Sequence, residues 1–237
     1  MRRIVVIALS VILALVVAIP MASGKPALPA ISKDSQTLGE LGAEWWTQVI
    51  EEPVPTNPLF DSYTNESPKC EVSTTFAKRE VFFLVGTTGE ETVTRKCTVS
   101  HKAWIFFPVF NFVDIEPPGA FTEEEIRQIV SRCFDPALVG STMFVTVDGE
   151  PVPVSIQNNQ TKTPFFTVNL PEDHIFGGPD VAPAGPYEGA ADGVWVLLRP
   201  LKKGTHTITF GGDFPNGPTG QCGGPFSQNN TYILTVK

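Results

Sequence analysis

Short apolar runs, broken by Gly, Pro, Asn and Asp, recur along this sequence, which is the pattern of strands joined by turns. Residues 80–85 and 103–110 are apolar almost throughout and read as strands covered on both faces. Pro108 inside the second run predicts a bulge or an edge position, because proline cannot donate to a ladder. Residues 92–99 and 205–210 alternate apolar and polar side chains and read as half-buried strands. Residues 143–147 lead into Asp148-Gly149, a hairpin turn, with 151–156 as the return strand. Residues 165–170, 193–198 and 232–236 bring the expected total to roughly eight to ten strands. Residues 171–190 and 211–228 read as long loops.

Two stretches carry a helical period instead. Leu38, Leu41, Trp45 and Val49 fall on one face, widened by Trp46 and Ile50. Thr37 and Glu40 match a capping box, so the expected helix is 37–52, stopped by Pro53 and Pro55. Thr122 and Glu125 form a second box ahead of a short helix ending near Cys133. The fold expected is mainly β, a β-sandwich of jelly-roll or immunoglobulin-like type, with an N-terminal amphipathic helix and a short inserted helix.

The apolar run at 4–19 follows Arg2 and Arg3 and precedes the small residues Ala22-Ser23-Gly24. This reads as a signal peptide over 1–24, with an uncleaved anchor as the alternative. Residues 25–34 are a linker and 35–237 a single domain. The mature chain is expected to be secreted or held in the cell envelope, outside any membrane. The formal charge of −8 becomes more negative once Arg2 and Arg3 leave. That balance, with no basic cluster, excludes nucleic acid as a partner.

The four cysteines, Cys70, Cys97, Cys133 and Cys222, have no zinc spacing. In an exported chain they read as two disulfides. Of three connectivities, Cys70–Cys97 and Cys133–Cys222 are favoured. A hairpin of 80–86 with 92–99 would close the first, and the second would staple the inserted helix to the last long loop.

Glu44-Trp45-Trp46, Asn57-Pro58-Leu59, Phe107-Pro108-Val109-Phe110-Asn111, Asp148-Gly149 and Gly204-Thr205-His206-Thr207-Ile208 resemble a group of uncharacterised exported microbial proteins. The resemblance spans nearly the whole mature chain and implies no activity. The last of these motifs, with the terminal strand, is also similar to the ends of bacterial immunoglobulin-like modules.

No catalytic motif stands out. Serine-hydrolase and metallohydrolase signatures are missing from the sequence, and its three histidines lie far apart. Glu80, Asp114, Glu116, Asp148 and Asp192 could pair for glycoside hydrolysis, but an acid-rich chain offers such candidates by chance. No cofactor is implied. Calcium held between acidic loops (Asp114, Glu116, Glu172, Asp173, Asp180, Glu188, Asp192, Asp213) is an option without EF-hand spacing. Most aromatics sit in apolar runs and read as core; Trp46 and Tyr187, with polar or small neighbours, are the candidates for stacking on a sugar. Asn65, Asn159 and Asn229 head glycosylation triplets expected in loops. The primary expectation is a structural or adhesive extracellular protein with a glycan or protein partner at the cell surface. A carbohydrate-binding module and a carbohydrate-active enzyme are the alternatives.

Overall fold

A computed structural model of the chain describes residues 34–60, 70, 73–88, 92–178, 180–217 and 219–237. The expected signal peptide, all of the linker except Asp34, and Asn65 lie outside the described residues.

Helix α1 spans Ser35–Glu51 and leads through two short 3-10 turns, Val54–Thr56 and Pro58–Phe60. Eleven strands follow among the described residues: β1 Ser73–Phe76, β2 Arg79–Phe83, β3 Thr92–Val99, β4 Trp104–Glu116, β5 Thr142–Val147, β6 Glu150–Pro151, β7 Gln160–Lys162, β8 Phe166–Leu170, β9 Gly185–Leu198, β10 Gly204–Phe214 and β11 Phe226–Val236. Helix α2, Glu123–Leu138, lies between β4 and β5, and the single-turn α3, Ile156–Asn159, precedes β7.

Two mixed sheets face each other. One is ordered β1-β2-β4-β9-β7, with β8 also on β9; the other is β3-β11-β10-β5-β6. The β4-β9-β7 and β11-β10-β5 neighbours reproduce the B-E-D and G-F-C order of an immunoglobulin-like sandwich. Two parallel pairings depart from an all-antiparallel sandwich: β2 with β4, and β3 with the last strand, β11.

The first core lies between the sheets, built from Ile105, Phe107, Val194, Val196, Phe210, Leu234 and their neighbours. The second lies on the outer face of the β4 sheet, where α1 packs Leu41, Trp45 and Val49 onto Phe106, Trp195 and Leu197. The molecule is therefore three layers deep at that point, helix on sheet on sheet. That explains the uninterrupted apolar runs of β4 and β9, which are covered on both faces. Gly42 lets the helix settle closely: a Cβ there would lie 2.9 Å from the Trp195 ring.

Several expectations need correction. Helix α1 starts at Ser35 with Asp34 as N-cap, so Thr37 lies inside the first turn, its hydroxyl donating to the Asp34 carboxylate. The inserted helix is longer than expected, because Pro136 is accommodated near its C-terminal end instead of ending it. Its capping box is as expected: Glu125 N–H donates to Thr122 Oγ1, and Thr122 N–H donates to Glu125 Oε2. The two long loops are shorter than expected because β9 begins at Gly185, β10 continues to Phe214 and β11 begins at Phe226. Glycine-rich composition hid strand that is held by its neighbours.

Both expected disulfides are present, Cys70–Cys97 and Cys133–Cys222. The hairpin invoked for the first does not exist: β2 and β3 belong to different sheets, so that bond joins the chain entering β1 to the opposite sheet. The second staples α2 to the 215–225 loop, as expected. Among the described residues no helix is long and apolar enough to cross a membrane.

Candidate functional site

β2 accompanies β4 only over Trp104–Phe106. One further bond, Leu84 N–H to the Phe106 carbonyl, extends that pairing before the chain turns away. Beyond it, Pro108 imposes a β-bulge in the register with β9. A cleft of about 520 Å³ opens there. Its walls straddle β4: Trp46, Phe60 and Phe176 come from the helix side, and Phe110, Phe226 and the Cys133–Cys222 bridge from the side of α2 and the 215–225 loop.

Four polar side chains fix these walls. Asn57, fully enclosed, donates from Nδ2 to the Val49 and Glu52 carbonyls, capping α1, and accepts from Leu59 N–H. That places Leu59 and Phe60 at the cleft. Arg95, buried on the inner face of β3, donates to the Val85, Gly86 and Pro58 carbonyls and to the Tyr232 hydroxyl, tying three segments together. Gln228 donates to the Val109 carbonyl and accepts from Thr87 N–H and Asn230 Nδ2. Gly86 makes room for it, since a Cβ there would lie 2.4 Å from Gln228 Oε1. His174 accepts from Phe176 N–H at Nδ1, which puts its proton on Nε2, donated to the Ala182 carbonyl. The 171–184 loop is thereby set with Ile175 and Phe176 at the cleft.

The lining is apolar with two polar exceptions of interest. The Trp46 indole N–H and the Asn111 amide nitrogen are buried and meet no hydrogen-bond partner. Both residues line the cleft. Trp46 is 8% exposed. Among the described lining residues none carries an ionisable side chain.

The sequence-derived candidates fare unevenly. Trp46 is buried against the edge of Trp45 and is no exposed stacking platform, though it does line the cleft. Tyr187 is buried too, its hydroxyl donating to the Pro183 carbonyl, and it stays outside the cleft. Their polar or small neighbours predict exposure for both; each instead lies against the second core, Trp46 on α1 and Tyr187 on β9. Asn159 is buried and donates from Nδ2 to the Trp195 carbonyl, leaving no room for a glycan on that nitrogen. Asn229 is exposed but lies in β11, paired on both sides, and not in a loop.

Among the described candidates, carboxylates draw together at the end of β4, where Asp114 feels the charge of Glu116 and Glu116 stands opposite Glu188 of β9. Asp148 turns the β5–β6 hairpin with φ 53°, accepting from Thr207 N–H and facing His206 Nδ1 at 2.7 Å. Asp192 is buried and satisfied by Gln160 Nε2 and Gly193 N–H; burial still raises its pKa. Asp114 and Glu116 stand on the far end of β4. Burial, reinforced by Glu116, lifts Asp114 to about 6 from 3.8. Burial raises Glu116 as well. Among the described residues no group of three His, Cys, Asp or Glu gathers as a cation would need, so the acidic loops do not assemble a calcium cage there.

No family model matches the chain, and no curated protein matches it. Among solved structures it is similar to the cysteine protease inhibitor EhICP2 from Entamoeba histolytica. That likeness has 14% identity and a TM-score of 0.21, covering 66% of this chain and 96% of the other.

Asn57, Arg95, Gln228 and His174 escaped the reading of the sequence. Only Arg95 left a signal there: the alternation of 92–99 places it on the same face as Val93, Cys97 and Val99.

Proposed function

We propose that this chain is an exported, disulfide-stabilised extracellular or cell-envelope protein with an adhesive role, holding a partner in the cleft beside β4. The single observation that carries this reading is the cleft itself: aromatic walls, two buried donors without partners, and no ionisable group among the described lining residues. Such a surface binds a neutral, partly apolar group that offers hydrogen-bond acceptors. It supplies neither a general acid nor a general base.

Export is supported by the N-terminal leader pattern and by two disulfides, which persist in oxidising compartments. Sugar stacking on exposed rings has less support, since among the described residues the exposed large apolar side chains are Phe121, Val139, Phe144 and Val181, none of them Trp or Tyr.

The test is direct. Expressed with its own leader, the protein should be recovered outside the cytoplasm with both disulfides formed. N-acetylphenylalaninamide, a neutral aromatic amide, should shift the Trp46 indole and Asn111 amide resonances on titration. Retention inside the cell with free thiols would overturn the compartment. Hydrolysis of any polysaccharide that depends on one Asp or Glu would overturn the adhesive role.

A further inference from the structure

We infer that the cleft takes an extended peptide, uncharged where it lies in the cleft, which adds a strand to the edge of β4 that no described strand pairs with beyond Phe106. The inference deepens the adhesive reading and rests on it.

The argument begins on the far side of β9. There the Ala191 carbonyl accepts from Thr163 N–H, and the Trp195 carbonyl accepts from Asn159. Backbone groups alternate in direction along a strand, so those of Asp192 and Val194 aim the other way, at β4. Their register partners are Phe112 and Phe110. The N–H and C=O groups of the intervening Asn111, Val113 and Ile115 therefore point off the opposite edge of β4. Val109 agrees with this, since its carbonyl points to the same edge and is taken by Gln228. Among the described residues no strand pairs with that edge beyond Phe106.

An unpaired edge is a template for another strand, and folds commonly blunt it with charge, a helix or a loop. Here the start of the edge lies within the cleft, at Phe110, Asn111 and Phe112, between two apolar walls. An added strand would send alternate side chains to either wall while its backbone pairs with β4. Trp46 Nε1 and Asn111 Nδ2 would meet its carbonyls. The edge then runs out beside Asp114 and Glu116 on a chain of net charge −8, which disfavours an acidic segment.

The probe is acetyl-Val-Thr-Val-Thr-Val-amide, titrated into the disulfide-bonded protein and followed by NMR and amide exchange. The amides of Asn111, Val113 and Ile115 should shift and become protected. N-methylation of alternate peptide nitrogens keeps the side chains but removes donors, and should weaken binding by roughly tenfold or more. Val113→Pro should do the same, because it removes an N–H that points off the edge and leaves the bonds to β9 in place. An analogue ending in Asp-Asp should bind more weakly than the neutral peptide.

Failure of the neutral peptide to bind at millimolar concentration would overturn the inference. So would binding in which the three amides stay unprotected and N-methylation has no effect. N-acetylphenylalaninamide separates the two levels: if it binds while the peptide does not, the cleft stands and strand addition falls. If Val113→Pro fails to fold, the N-methylated peptide still decides.

Discussion

The two halves of β4 differ in sequence and in surroundings: Trp104 to Phe107 is wholly apolar, while the half from Phe110 carries Asn111, Asp114 and Glu116. Its first half, Trp104 to Phe107, has β2 on one edge and β9 on the other, α1 on one face and the second sheet on the other. Phe106 is fully enclosed there, stacked on Trp195 at 5.5 Å. The second half, from Phe110 onward, keeps β9 but loses β2, and its side chains from Asn111 are only partly covered. Burial of a strand's faces is written in its side chains. Burial of its edge depends on where the neighbouring chain departs, and that is decided elsewhere, by the turn at Gly86 and by Gln228 from β11.

The largest test of this contrast removes a disulfide. The Cys133–Cys222 bridge closes a separation of 89 residues and forms part of the cleft wall, whereas Cys70–Cys97 closes 27. On the chain-entropy account, replacing the first pair by alanine should cost about 4–5 kcal/mol and the second about 3–4 kcal/mol. Denaturant unfolding of the two double variants gives the comparison directly. A larger loss at Cys70–Cys97 would mean that the opposite end of the sandwich depends more on its staple. Next in size is truncation within β4. Phe106→Ala should cost about 3–5 kcal/mol, the range for an enclosed aromatic. Phe112→Ala, on the half-covered side, should cost about 1 kcal/mol. Equal losses would show that the second half of β4 is as tightly packed as the first.

This contrast also marks what could be read from the sequence. The faces were legible: alternation in 92–99, the apolar runs of 80–85 and 103–110, and the Leu38, Leu41, Trp45, Val49 stripe all correspond to observed burial. Pro108 foretold the bulge. The disulfide pairing is legible too, and so is the cause of the second bond, but the hairpin behind the first is not there, because neighbours in sequence, β2 and β3, lie in different sheets. The site was mostly illegible. It is assembled from α1, β4, α2, β11 and four connecting segments that meet through long-range contacts. Gln228 satisfies backbone groups of distant segments, whereas Asn57 and His174 shape their own loops by bonding backbone within eight residues, and single polar residues of this kind carry no periodicity to betray either role. The neighbours of Trp46 predict exposure, yet it is buried and lines the cleft, a distinction that hydropathy does not encode.

A smaller effect belongs to the far end of the free half. Burial raises the Asp114 pKa to about 6, above the 3.8 of an exposed aspartate, and its Oδ2 is buried without a partner. A raised carboxyl binds its proton more tightly in the folded state than in the unfolded one. Its stabilising contribution is therefore complete below about pH 4 and is lost as pH rises through about 6. Asp114→Asn should remove that slope and stabilise the protein at pH 7 by about 1 kcal/mol, after allowance for the partial exposure of the site. Unfolding followed at pH 4 and pH 7 measures it. A variant whose stability falls as steeply between those values as the parent would place the titration elsewhere.

The finest test compares two neighbours on α1. Trp45 and Trp46 touch edge to face at 4.9 Å, yet only the first has a use for its indole nitrogen inside the fold. Trp45 Nε1 donates to the Leu84 carbonyl at 3.0 Å, at the point where the chain leaves the edge of β4. Trp46 Nε1 is buried beside the cleft with no acceptor. Trp45→Phe removes a satisfied donor, orphans a carbonyl and shrinks a packed ring, and should cost about 2 kcal/mol. Trp46→Phe loses similar volume but relieves an unmet donor, so the two terms nearly cancel and the change should stay within about 1 kcal/mol. Its effect should fall on binding: the variant should hold N-acetylphenylalaninamide more weakly than the parent while unfolding at nearly the same denaturant concentration. Comparable stability losses for both variants would mean that the Trp46 indole N–H finds a partner in solution, and the cleft would then have one donor fewer to offer.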